Sequence, residues 1–223
     1  MKNVSALCII FIFFLLTLTG CSWINPPYEG EKDAKTLAEE GTAAFVNEDY
    51  FTAIDAFTTL TDWYPFSKYA ILAELKIADA HYHREEYEEA VFAYRNFEKL
   101  HPRNEAIPYV IYQTGMCWYK QINTVDRDQR AAEKSIALFT RLKETYPDSP
   151  YTKKAEARVK KCHASLAGHE FYVANFYLKK EQYKAALKRF EYLFANYPDT
   201  REAKLALKKI PQCRKKIQDD NAS

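Results

Sequence analysis

The chain has 223 residues with 32 basic and 30 acidic side chains, a formal net charge of +2, 48% apolar residues and only 5 glycines. So even a charge balance gives no electrostatic case for nucleic-acid binding, and the scarcity of glycine argues against a turn-dense β architecture while the apolar fraction supports a substantial core. The 5 cysteines are widely spaced, which fits neither a disulfide framework nor a zinc site; Cys117, Cys162 and Cys213 are expected as buried, small apolar thiols.

In chain order, residues 1–20 read as a signal peptide. Lys2 is their one charge, an apolar run occupies 6–18, and Leu18-Thr19-Gly20 leads into Cys21. A membrane-spanning helix takes about 20 apolar residues, more than this run supplies. Leu-Thr-Gly-Cys resembles the lipobox of bacterial lipoproteins, which implies an N-acyl diacylglyceryl lipid on Cys21 and attachment to the membrane by lipid alone. Ser22 follows that cysteine, where Asp in many such lipoproteins would imply inner-membrane retention, so the resemblance favours the outer membrane. Residues 21–34 contain Pro26, Pro27 and Gly30 without helical periodicity, and read as a tether spanning up to about 40 Å.

One pattern then recurs four times: Tyr, a small residue three positions on, an aliphatic, an aromatic, a leucine or phenylalanine, and Pro. The copies are Tyr50, Ala53, Ile54, Phe57, Leu60, Pro65; Tyr87, Ala90, Val91, Tyr94, Phe97, Pro102; Ala132, Ser135, Ile136, Phe139, Leu142, Pro147; and Tyr183, Ala186, Leu187, Phe190, Leu193, Pro198. Offsets of 3, 4, 7 and 10 place these side chains on one helical face, and the proline ends each helix. Upstream partner helices centre on Gly41, Ala78, Gly115 and Ala174. This arrangement resembles the tetratricopeptide repeat and implies an all-α, right-handed superhelical solenoid. Successive prolines are 37, 45 and 51 residues apart, longer than the standard repeat of about 34. The surplus falls in an insertion around 122–130 and an added helical stretch over 150–166. A last helix near 202–217 contains Pro211, expected to kink or split it. The expected division is 35–148 as three helix pairs forming a cargo groove, and 149–223 as a C-terminal repeat with a capping, partner-docking helix.

No catalytic constellation emerges: there is no glycine-rich phosphate loop, HExxH, CxxC or nucleophile elbow. His81 and His83 are two apart, the wrong spacing for a helical metal pair. Asp126 and Asp128 are interleaved with Arg127 and lack the glycine of a calcium loop. Lys153, Lys154, Arg158, Lys160 and Lys161 read as a solvated basic face. Neither metal nor cofactor is expected, and function falls to the surface. In the repeat geometry the inner face collects Phe45, Leu75, Tyr82, Tyr109, Tyr112, Met116 and Tyr119, an aromatic groove suited to an extended or helical peptide.

The lipobox, Asn25-Pro26-Pro27 and the extended repeats together resemble the BamD family of outer-membrane assembly lipoproteins. So do the strings Tyr64-Pro65-Phe66-Ser67, Tyr109-Val110-Ile111-Tyr112, Val125-Asp126-Arg127-Asp128-Gln129 and Tyr146-Pro147-Asp148-Ser149. Trp63 stands where family members often carry Arg. The resemblance implies a scaffold on the periplasmic face of the outer membrane, bound to a BamA-like barrel protein and other assembly lipoproteins, with unfolded outer-membrane proteins as cargo. For the barrel-protein contact the candidates are Arg201, Lys204, Lys208, Arg214 and Lys215. A pilotin-like tetratricopeptide lipoprotein of a secretion or pilus system would keep the lipid and the groove and change the cargo; a regulator of a cell-wall enzyme is the reading from another class.

Overall fold

A computed structural model of the chain describes residues 32–222; the signal segment, Cys21 and the tether up to residue 31 lie outside the described residues. Nine α-helices follow one another among these residues, with no strand: α1 Ala34–Val46, α2 Tyr50–Trp63, α3 Ala70–His83, α4 Tyr87–Leu100, α5 Ile107–Lys120, α6 Arg130–Thr145, α7 Pro150–Lys179, α8 Tyr183–Asn196 and α9 Arg201–Ala222. Each packs chiefly on the next in the chain, the antiparallel helix pairs of a tetratricopeptide solenoid. The first begins at Ala34, capped by the Asp33 carboxylate, which accepts from the Thr36 amide at 2.7 Å.

Two local devices repeat. The helices α1, α3 and α7 end with a glutamate in the left-handed region, Glu48 (φ 61°), Glu85 (φ 62°) and Glu181 (φ 58°). The next amide in each case reaches back across the last turn: Asp49 to the Ala44 carbonyl at 2.9 Å, Glu86 to His81 at 3.0 Å, Gln182 to Tyr177 at 2.9 Å. This Schellman closure satisfies carbonyls that the helix end leaves orphaned. The helices α2, α4, α6 and α8 stop at Tyr64, His101, Tyr146 and Tyr197, each outside the helical region (φ −126° to −134°, ψ 49° to 62°) because the proline that follows disfavours helical backbone there.

Pair spacing is set where a small residue meets an aromatic ring. A Cβ built on Gly41 would lie 2.6 Å from Phe57 Cε1, and one on Gly115 would lie 2.5 Å from Phe139 Cε1. Ser135, in the small-residue slot of the third copy, donates to the Gly115 carbonyl at 3.1 Å. Three buried clusters result, one over α1 to α3 around Phe57 and Leu60, a central one around Tyr94, Phe97 and Phe139, and one over α7 to α9 around Phe190 and Leu193.

One element differs from expectation. The added stretch over 150–166 and the partner helix centred on Ala174 form the single 30-residue helix α7, because nothing between Pro150 and Lys179 breaks a helix; Gly168 alone costs about 1 kcal/mol. That glycine is where the 122–130 insertion docks: a Cβ there would meet Val125 Cγ1 at 2.7 Å, and His169 Nδ1 donates to the Val125 carbonyl at 2.7 Å. Helix α9 is not split at Pro211, one of the two outcomes expected there, and continues as one helix past it. Pro211 and Leu207 are exposed, so water can replace the backbone bond that proline forfeits.

Gly115→Ala is expected to lower stability by about 1–2 kcal/mol, overpacking against Phe139 outweighing the better helix propensity of alanine; urea denaturation followed by far-UV circular dichroism measures it.

Candidate peptide-binding face

The inner face is built on a buried carboxylate. Asp79 follows the small residue Ala78 on α3 and is 5% exposed. Its Oδ1 accepts hydrogen bonds from the Tyr94 and Tyr109 hydroxyls, both at 2.7 Å, and Oδ2 pairs with Lys76 Nζ at 3.3 Å, one helical turn back. Tyr94 occupies the slot that holds Phe57, Phe139 and Phe190 in the other copies, so the second repeat alone sends a hydroxyl across to its partner helix. Gln113 donates to the Tyr109 hydroxyl at 3.1 Å. Burial, and then the Asp79 charge, push both phenols above their ordinary pKa, so each remains a donor at neutral pH.

Aromatic rings extend to either side of this anchor. Toward α1, Lys76 Nζ lies 4.5 Å from the Phe45 ring centroid; Phe45 meets Tyr50 edge-on at 5.3 Å, and Tyr50 stacks on His83 at 5.0 Å. A hollow of about 590 Å³ opens beside them between α1 and α3, with Ala38, Thr42, Val46, Tyr69 and Leu72 among its walls. Toward α7, Tyr151 packs against Tyr109 at 5.4 Å and Tyr112 at 5.5 Å, and the Arg158 guanidinium lies 5.2 Å from the Tyr119 ring centroid. Hydrogen bonding to Tyr112, and then to Tyr119, makes Arg158 more basic than usual. Tyr82 lies edge-on to Tyr87 at 5.8 Å, and burial pushes its hydroxyl up to about 12.

Phe45, Leu75, Tyr82, Tyr109, Tyr112 and Tyr119 are therefore half-buried, each presenting part of its surface. Met116 is a correction: at 6% exposure it belongs to the central core and cannot meet a ligand. Asp79, Lys76, Tyr151 and Arg158 complete the face. Lys76 at i,i+3 from Asp79 was a readable signal; Arg158 carried none, since its contact depends on how α7 crosses α5. On α9, Arg201, Lys204, Lys208, Arg214 and Lys215 are all exposed, with Arg214 paired to Glu191 of α8 at 2.7 Å. His81 pairs with Glu86 at 2.8 Å. Among the described residues no three His, Cys, Asp or Glu side chains are placed to hold a metal ion, and no helix is long and apolar enough to cross a membrane.

A family model described as YfiO, outer membrane lipoprotein, matches residues 30–223. The outer membrane protein assembly factor BamD of Vibrio cholerae serotype O1 is 29% identical over 203 residues, covering 86% of this chain and 84% of that protein. The protein of the same name from Rickettsia prowazekii is 30% identical over 209 residues, covering 94% and 82%, and that of Pasteurella multocida 28% over 225 residues, covering 93% and 84%. Among solved structures, the TPR2AB domain of yeast Sti1 in its pHSP90 complex aligns at a TM-score of 0.47 and 18% identity, over 84% of this chain and 75% of that one.

Two outcomes follow for the face and its surroundings. Asp79→Ala strands the buried Tyr94 hydroxyl and removes the acceptor of the half-buried Tyr109, and is expected to cost about 3 kcal/mol in urea denaturation, whereas Lys76→Ala, half-exposed, should cost under about 1 kcal/mol. Cys117, Cys162 and Cys213 are free and buried, and burial raises the Cys117 thiol to about 12. The reactive thiolate is thereby suppressed at neutral pH; iodoacetamide at pH 8 should leave all three unmodified in the native protein by mass spectrometry, and alkylate them in urea.

Proposed function

The chain belongs to the YfiO family of outer membrane lipoproteins, and from that premise we propose that it is a lipid-anchored periplasmic scaffold for assembling outer-membrane β-barrel proteins. The observation that carries the cargo role is the inner face itself: half-buried rings from α1, α3, α5 and α7 gather around the buried Asp79 anchor and Arg158, each leaving part of its surface exposed. Aromatic side chains fixed in this way lose little entropy on binding and offer an apolar body with a polar tip. An unfolded outer-membrane strand, with alternating aromatic and apolar residues, fits such a face. Cys21 takes the lipid, and the cationic α9 faces an acidic surface on a BamA-like barrel protein. No step of this work needs a catalytic group.

Affinity purification from solubilised outer membranes is expected to recover a BamA-like protein with the chain, and charge reversal at Arg201, Lys204 and Lys208 to reduce that recovery. Its absence would overturn the assembly role. For the inner face, Tyr112→Ala with Tyr119→Ala should weaken binding of a terminal-strand peptide about tenfold, in the range of interface hot spots, with helicity retained. Unchanged affinity would place the cargo elsewhere.

A further inference from the structure

The connection between the first two repeats, 64–69, is bordered by apolar side chains that the solenoid leaves in water. Phe66 is 100% exposed, Trp63 and Leu72 are each 54% exposed and Ile71 is 43% exposed. Over 63–73 the sequence has no acidic residue, and its one charge is Lys68, whose ammonium lies 5.0 Å from the Tyr69 ring centroid. Single exposed apolar residues are ordinary; several in ten consecutive positions mark a surface that meets something. Trp, Tyr and Phe accompanied by Lys is the composition found at the boundary between lipid headgroups and water, where amphipathic rings and a snorkelling lysine are both satisfied.

Position supplies the second observation. The Tyr64 hydroxyl donates to the Lys32 carbonyl at 3.0 Å, so the backbone enters the solenoid against this same connection. Cys21 lies eleven positions upstream of Lys32, and at about 3.3–3.6 Å per residue the connection stays within about 40 Å of any lipid there.

We propose that 64–69 is a membrane-interface contact, with Phe66 and Trp63 seated among the headgroups of the leaflet that holds the lipid. This placement rests on acylation of Cys21; the chemistry of the contact does not. One tether allows the solenoid any orientation, and a second contact beside the tether's end removes most of that freedom. Tyr69 and Leu72 also line the hollow between α1 and α3, so this seating opens the amino-terminal end of the peptide face toward the lipid surface and leaves α9 pointing away from it.

The test uses vesicles of phosphatidylethanolamine and phosphatidylglycerol, with and without brominated acyl chains, which quench nearby tryptophan. The mature protein is compared with its Trp63→Phe variant, so that Trp23 and Trp118 cancel, both as the acylated protein reconstituted in the vesicles and as the non-acylated Cys21→Ser protein added to them. Bromolipid quenching that disappears with Trp63→Phe is the expected result, and Phe66→Ser should lower partitioning of the non-acylated protein about tenfold, as loss of one buried aromatic ring implies. Trp63 unquenched in acylated protein that is demonstrably anchored would overturn the proposal. So would efficient photocrosslinking from position 66 to a protein in place of lipid in whole cells. Mass spectrometry of the mature chain reads acylation independently; if Cys21 carries no lipid, the non-acylated arm alone decides the loop.

Discussion

How closely two helices of a repeat approach depends on one contact, a small residue on the first helix receiving an aromatic ring from the second. At Gly41 and Gly115 the ring occupies the volume a methyl group would take. Dispersion falls steeply with separation, so this contact sets the interhelical distance and the burial of every leucine behind it. Phe57, Phe139 and Phe190 serve three copies with a plain ring. The second serves with Tyr94, and the added hydroxyl ties the packing device to Asp79 beneath the candidate face.

A buried carboxylate is costly unless its lone pairs are filled. Asp79 has two phenolic donors and an ammonium, and this satisfied cluster lies beneath rings that face solvent. The polar network holds the rings still, and fixed rings bind at lower entropic cost than mobile ones. On the proposed reading, preference for aromatic, apolar strands would come from the repeats' own packing, with no separate site grafted onto them.

The long helix α7 joins the halves. Its amino-terminal part packs Tyr151 and Arg158 against the peptide face, while its carboxy-terminal part carries Ala174 and the last repeat. One helix thus serves both clusters, with the 122–130 insertion pinned to its middle at Gly168 and His169, and α9 packs on its carboxy-terminal half. On the proposed function, a lipid at one end, a peptide face along the middle and a cationic helix at the other would give a scaffold three attachments in linear order.

By itself the sequence determined the all-helical repeat architecture and where each proline-stopped helix ends. Those depend on local rules: apolar spacing of 3, 4 and 7, a proline that stops each second helix, and a small residue nine positions ahead of each surviving tyrosine. The expectation of a lipid on Cys21 likewise rests on a contiguous motif. Only the tertiary structure decided that Met116 turns into the core, and that Arg158 leaves the solvated basic face to lie over Tyr119. Met116 is settled by how α5 packs into the central core, and Arg158 by the angle and offset at which α7 crosses α5; both are set by the summed packing of many side chains, which no spacing within a single helix encodes.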